Sequence, residues 1–241
     1  MLVAAYTERP DLVARLDELD DVWPEFIHHA RLNRHWHRLR EDFPDFQLVL
    51  YDEESDTILG RGQTIPFRRE GGWKRLPDGV EGVFDQVFEG ERGEPTTLSA
   101  VVAVIDPRHQ GRGLSTLVIE GMRAVAARYG LDALVAPVRP TQKARYPLTP
   151  IEHYAKWRRA DGQLLDPWLR VHERLGAEIL GICPGSLIVE GTVAEWEEWT
   201  GMALPDSGAY VVEGALVPIE IDREANRGRY VEPNVWMRHS V

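Results

Sequence analysis

The sequence has almost no cysteine: Cys183 is the single one among 241 residues. One cysteine excludes an internal disulfide framework, and this usage is typical of the reducing cytoplasm. No apolar run approaches the roughly 20 residues that a helix needs to span a bilayer. Residues 1–10 lack the apolar stretch of a signal peptide. We therefore expect a cytoplasmic protein without a membrane partner.

Basic residues are also in deficit. Lys and Arg number 28 against 39 Asp and Glu, which gives a formal net charge of −11. Because binding to a phosphate backbone needs the opposite balance, we expect no nucleic-acid partner. The acidic balance weakly favours a cationic substrate such as an amine. His28, His29, His35 and His37 lie on a basic segment typical of a solvated face, so we expect no metal.

The chain lacks internal repeats and low-complexity linkers, and its apolar pattern is that of mixed α and β structure. The pattern predicts a helix, a hairpin, a strand–helix–strand unit and two C-terminal strands. The helix is Pro24 to Arg40, and the hairpin pairs Phe46 to Tyr51 with Thr57 to Phe67. The strand–helix–strand unit consists of the strand Leu98 to Ile105, the helix Leu114 to Tyr129 and the strand Leu131 to Val138. The two C-terminal strands lie within Tyr210 to Met237. The strand–helix–strand unit is a right-handed crossover by base rate. We predict an α/β fold of the α+β type, with 1–241 as a single domain.

Three further helices have sequence signals at their first residues. Thr149 with Glu152, and Thr192 with Glu195, have the spacing of a capping box. Asp166 precedes a proline, which is favoured at the first helical position.

The loop from Arg108 to Ser115 connects the central strand to its helix. Gly111 and Gly113 allow a sharp turn and close approach of a ligand to the backbone. Free N–H groups and the positive end of the helix dipole then face one point, which suits a pyrophosphate. Leu114 after Gly113 excludes a Walker loop, and Thr116 replaces the third glycine of a dinucleotide fingerprint.

Two segments resemble one known family. The run from Val102 to Gly113 resembles the acyl-CoA-binding segment of the GNAT superfamily of N-acyltransferases: an apolar strand, a turn, Arg/Gln-x-x-Gly-x-Gly/Ala, and a helix. His172-Glu173-Arg174-Leu175-Gly176-Ala177 is similar to the family's late Tyr-Glu-Arg-Leu-Gly-Phe. The resemblance covers Phe46 to Ile182. It implies a mixed, partly splayed central sheet flanked by helices, with acetyl-CoA or another acyl-CoA as co-substrate.

The resemblance also implies a reaction, which is direct transfer of an acyl group, acetyl by default, to an amine. The implied contacts of acyl-CoA are Val102, Ala103 and Val104 along the arm and thioester, and His109, Gln110, Gly111, Arg112, Gly113, Leu114 and Ser115 around the pyrophosphate. His172 stands where the family usually has a tyrosine acid, and an imidazolium can donate a proton. The central strand carries no carboxylate, so a base must come from elsewhere.

A long insertion, Arg139 to Asp166, separates the second strand from the late helix. Its aromatic and charged residues predict an acceptor pocket or lid, with Arg145 and Tyr146 as substrate-binding candidates. Glu152 is a candidate base, although its position also fits a helix cap. Tyr154, like Tyr146, is an alternative acid, although ordinary packing would also explain both tyrosines.

Two other functions stay open on the sequence alone. The missing strand carboxylate and the histidine at position 172 also fit a non-catalytic acyl-CoA-binding or sensing module. The insertion also fits a biosynthetic transferase that uses a longer or carrier-bound acyl group. For the enzyme, we expect a small-molecule acceptor and allow for a homodimer.

Overall fold

The computed structural model describes residues 1–20 and 23–241. The strands of the described chain are β1 Leu2–Ala5, β2 Gln47–Asp52, β3 Thr57–Phe67, β4 Thr97–Ile105, β5 Ala133–Val138, β6 Glu178–Gly191, β7 Gly208–Tyr210, β8 Ile219–Asp222 and β9 Arg227–Ser240. The α-helices are α1 Pro10–Val13, α2 Trp36–Asp42, α3 Gly79–Phe84, α4 Leu114–Arg128, α5 Ile151–Tyr154, α6 Pro167–Arg174 and α7 Val193–Thr200. None of the helices in this part of the chain has the length and apolarity to cross a membrane.

The strands form one mixed sheet in the order β1-β2-β3-β4-β5-β9-β8-β7, and β6 also pairs with β9. Only β4 and β5 are parallel among the paired strands, and α4 connects them. One face of the sheet buries α4, whose Val118 and Met122 pack in a cluster with Leu48 and Leu98. The other face carries a larger core that includes Phe26, Phe84, Trp196 and Tyr230. Helices therefore flank both faces, which confirms the predicted fold class.

The two central strands separate soon after they meet. β4 and β5 pair at Leu98–Leu134 and Ser99–Val135 and at no later position. Opposite β3, Gln63 pairs with Val102 and Thr64 with Ala100, so Val101 lies in a bulge of β4. A bulge bends its strand and increases the local twist, which directs β4 away from β5. The sheet is splayed at its centre, as the family resemblance implies.

The hairpin and the crossover lie within two residues of their predicted bounds, but the N-terminal helix differs. The predicted helix from Pro24 to Arg40 is instead two 3-10 segments, Glu25–His29 and Arg31–His35, followed by α2. The break falls at Ala30, which is extended and bridges to Val189 of β6. Pairing with a distant strand thus overrides local helix propensity.

The helix starts are confirmed at two of three positions. Asp166 accepts hydrogen bonds from the N–H groups of Trp168 and Leu169, and Thr192 forms the predicted capping box with Glu195. The predicted box at Thr149 is wrong, because α5 begins after Pro150 and has no side-chain cap.

Candidate active site

A cleft of about 730 Å³ opens where β4 and β5 diverge. One wall is β4 from Ala100 to Ile105 together with the loop from Gln110 to Ser115. The end of β5, α6 and parts of β6 and β9 also line it, together with Arg61 of β3 and residues between Trp23 and Trp36. This volume is in the range of small-molecule and cofactor sites.

The glycine loop has the backbone shape that a phosphate site needs. Gly111 and Gly113 have φ angles of 77° and 75°, in the left-handed region. A β-carbon at either position would meet no atom within 4 Å, so the space beside both glycines is open. Gly113 is the N-cap of α4, and the N–H groups of Leu114 and Ser115, the first residues of the helix, have no acceptor one turn earlier in it, whereas Thr116 N donates to the Gly113 carbonyl at 3.0 Å. These residues therefore fit a pyrophosphate held by backbone groups and the helix dipole.

Asp106 and Arg108 fix the strand side of this loop. The buried Asp106 accepts hydrogen bonds from Arg108 N at 2.8 Å and from the Arg108 guanidinium at 2.9 and 2.5 Å. The Arg108 guanidinium holds the pKa of Asp106 below its usual range, although burial opposes this shift. The Arg108 guanidinium is thus bound to a carboxylate beside the loop. Arg112 and His109 contact each other at the exposed tip of the loop.

The bulge places an unpaired stretch of backbone in the cleft wall. Val101 has no partner residue on β3, and β5 has already diverged at this point. Val102, Ala103 and Val104 pair with β3 on one side and face the cleft on the other. An amide in this wall is a candidate donor to a thioester carbonyl, and Val101 extends the predicted set by one residue. The sequence could not show the bulge, since it lies in a run of Val and Ala.

Comparison with known proteins identifies the family, although no family model matches the sequence. Arginine N-acetyltransferase avaD from Aspergillus versicolor is 30% identical over 269 aligned residues, covering 97% of this chain and 91% of that protein. The chain belongs to the GNAT superfamily of acyl-CoA-dependent N-acyltransferases.

Solved GNAT structures agree with this assignment at the level of the fold. The loading GNATL domain of CurA from Lyngbya majuscula superimposes with a TM-score of 0.58 at 18% identity, covering 99% of this chain and 96% of that domain. The GphF GNAT-like decarboxylase, solved with isobutyryl-CoA, also gives a TM-score of 0.58, at 19% identity, covering 100% and 99% of the two chains.

His172, which the resemblance matches to the family's usual tyrosine, lines the cleft and is 3% exposed. Its Nδ1 lies 2.8 Å from Nε2 of His239, and its ring packs edge-on against Trp168. Burial, together with the neighbouring His239, lowers the pKa of His172 to about 3. The side chain is therefore a neutral imidazole at neutral pH, which corrects the expected imidazolium. Its role as a proton donor stays a prediction.

The four candidate catalytic and substrate-binding residues of the insertion lie outside the lining of the cleft. Arg145, Tyr146 and Glu152 are exposed, and none of them lines the cleft. Tyr154 is buried, and its hydroxyl donates a hydrogen bond to Asp166 at 2.8 Å. Their catalytic and substrate-binding roles remain predictions that this geometry does not support.

The polar groups of the insertion hold it in place. Lys143 is fully buried and donates hydrogen bonds to the carbonyls of Tyr146 and Leu216, at 2.8 and 2.6 Å. Asp166 accepts bonds from Gln142 N and from the Tyr154 hydroxyl. Within the insertion, the cleft is lined by Arg139 and Thr141. The insertion therefore contributes only its first residues to the cleft lining, and hydrogen bonds hold the rest of it against the fold.

A carboxylate that sequence reasoning missed lies on β9. Glu232 is 1% exposed and lines the cleft. Both of its oxygens are 3.0 Å from Nε of Arg139, and the Tyr230 hydroxyl donates to one of them at 2.8 Å. Arg139 also donates to the Gly214 carbonyl at 2.7 Å. Among the described residues, Glu232 is the only carboxylate lining the cleft.

Proposed function

We propose that this GNAT enzyme transfers the acetyl group of acetyl-CoA directly to the amine of a small molecule. The observation that carries the proposal is the divided cleft. Its β4 and loop side offers backbone groups for coenzyme A, and its other side presents aromatic and charged side chains for an acceptor. We call this second side the acceptor side; it consists of Trp23, His28, Trp36, Arg61, Arg139 and Glu232. The arginine acceptor in the name of the Aspergillus relative supports a small molecule.

In the proposed reaction the amine nitrogen attacks the thioester carbonyl. A carbon–nitrogen bond forms, the carbon–sulfur bond breaks, and sulfur leaves with the electron pair and takes up the proton that the attached nitrogen loses. Backbone N–H groups of Val101 to Val104 stabilise the developing oxyanion. Glu232, the one carboxylate among the described residues that line the cleft, is our candidate to take the proton of the ammonium group, directly or through water.

Direct transfer is favoured over an acyl-enzyme on the lone cysteine. Cys183 is 1% exposed and is not among the residues that line the cleft. Burial raises the pKa of its thiol to about 12, so the nucleophilic thiolate is scarce at neutral pH. A buried free thiol also suits the reducing cytoplasm that we propose as its location.

The proposal is tested by turnover. We expect acetyl-CoA and a panel of small amines, including amino acids, to release coenzyme A together with an N-acetylated product identified by mass spectrometry. Coenzyme A binding without transfer to any amine would support the sensing module instead. Turnover only with longer or carrier-bound acyl groups would support the biosynthetic alternative.

Glu232→Gln is expected to lower kcat at least tenfold at neutral pH and to leave coenzyme A affinity within twofold. The amide keeps the shape of the side chain but cannot accept a proton, and a general base contributes about 10²-fold or more. The measurement is kcat across a pH series together with coenzyme A titration. Tyr230→Phe is the control, since it removes a hydrogen bond to the same carboxylate but keeps the carboxylate. An equal loss of kcat in both variants would mean that the hydrogen bonds around Glu232 maintain the structure of the cleft and that Glu232 does not act as the base.

A further inference from the structure

Arg61 lies beside the central strand on the face of the sheet opposite α4. It pairs with Val104 of β4, and it lines the cleft. Its neighbour Gly62 faces α4, because a β-carbon there would lie 2.8 Å from Val118 and Met122. Successive side chains of a strand point to opposite faces, so Arg61 points to the other side, where the acceptor side of the cleft lies.

The guanidinium of Arg61 is incompletely satisfied. Its Nε is buried and has no hydrogen-bond partner in the described chain. The nearby Tyr6 hydroxyl is also buried without a partner, and burial raises its pKa, so it stays neutral. An unmatched buried donor on a charged group is unfavourable, and a ligand that accepts a hydrogen bond from it would remove that cost.

The local charge of the acceptor side differs from that of the whole protein. Arg139 and Glu232 form an ion pair at 3.0 Å and neutralise each other. His172 is neutral, so Arg61 adds a positive charge to a cleft in a protein of net charge −11. Net charge weakly favours a cationic substrate, but the residues of the cleft favour one that also carries an anionic group.

We propose that Arg61 binds a carboxylate of the acceptor, so that the acceptor is an amino acid or a similar amine with a free carboxylate. The inference rests on the proposed acetyl transfer and names its substrate class. A planar guanidinium binds a carboxylate with two parallel hydrogen bonds, which also orients the rest of the molecule. The pyrophosphate loop continues into α4 on the opposite face, and its Leu114 packs in the core there. This separation favours the acceptor over a phosphate of coenzyme A as the partner of Arg61.

The first test needs no variant. The wild-type enzyme is assayed with acetyl-CoA and the standard L-amino acids, beginning with arginine, and then with the carboxamide of the best acceptor. We expect kcat/KM for the free acid to exceed that for the carboxamide at least tenfold. Equal use of the carboxamide, or transfer only to amines without a carboxylate, would overturn the inference and leave the proposed function intact. Transfer to no amine would remove the proposed function, and this inference with it.

The second test assigns the effect to Arg61. Arg61→Met is expected to raise KM for the amino acid at least tenfold, to abolish the preference over the carboxamide, and to keep KM for acetyl-CoA within twofold. Arg61→Lys keeps the charge and should recover part of the preference. Arg40→Met is the matched control, because Arg40 also lies near Tyr6, 5.9 Å from its ring centre, but is exposed and does not line the cleft. A rise in KM for acetyl-CoA alone would place a phosphate, not the acceptor, at Arg61 and overturn the inference.

Discussion

Gly113→Leu is expected to weaken coenzyme A binding at least tenfold, about 1.4 kcal/mol on the scale of binding free energy. The side chain would project into the open space beside the loop, where the pyrophosphate must approach the backbone. It would also have to adopt a φ near 75°, which side chains other than glycine rarely do. Isothermal titration calorimetry with coenzyme A measures the loss, and Gly111→Leu should give a similar one.

Gly130→Leu separates the loss of the ligand site from backbone strain. Gly130 has a φ of 66° and open space at its β-carbon, as Gly113 does, but it follows the C-terminal end of the same helix. We expect the Gly113 and Gly130 variants to lose similar amounts of thermal stability, and only the former to lose affinity. If both loop variants bind coenzyme A within twofold of wild type, the pyrophosphate site lies elsewhere.

The shape of the glycine loop, our proposed coenzyme A site, could be predicted from the sequence because its signals are local. Gly111 and Gly113 stand between an apolar strand and an amphipathic helix, and each of these patterns has a direct physical cause. The structure places both glycines in the left-handed region, at the N-terminus of α4. The splay of the sheet depends on the bulge at Val101, which no residue type in β4 signals.

The acceptor side could not be predicted, because it is assembled by long-range pairing. β6 was missed, since Gly181, Pro184 and Gly185 interrupt its pattern and bulges interrupt its register. Its pairing with β9 runs past Glu232, which faces the cleft beside Arg139 of the insertion. No spacing along the chain connects these two residues, which are 93 positions apart.

The insertion shows why residue type alone misleads. Tyr154 and Glu152 are the kinds of side chain that acid–base chemistry uses, and they lie in the segment that follows the central crossover. In the structure, the Tyr154 hydroxyl donates a hydrogen bond to Asp166, and Glu152 is exposed to solvent. For the tyrosine, the alternative of ordinary packing describes these surroundings better than catalysis does. For the glutamate, the alternative of a helix cap is wrong, because α5 has no side-chain cap.

The buried pair His172 and His239 should make the fold sensitive to acid. Burial lowers the pKa of His172 to about 3, with a contribution from His239, and burial lowers that of His239 to about 4, with a contribution from Arg123. In the unfolded chain a histidine titrates near 6.5. Below that pH the unfolded state binds more protons than the folded state, so the free energy of unfolding decreases as the pH falls. The loss begins near pH 6.5 and ends as the pH passes through the two folded pKa values.

We therefore expect the wild-type protein to lose about 1–2 kcal/mol of unfolding free energy for each of these histidines between pH 6.5 and pH 5. The measurement is urea denaturation at a series of pH values. A variant with both residues changed to glutamine cannot titrate there, and its two amides can still hydrogen-bond to each other, so its stability should fall less steeply over this interval. His153→Gln is the matched control, since it removes an exposed histidine from α5 and should keep the wild-type slope. Identical slopes in the wild type and the double variant would show that the pair is not held neutral, and the imidazolium expected at position 172 would again be available to protonate the leaving thiolate.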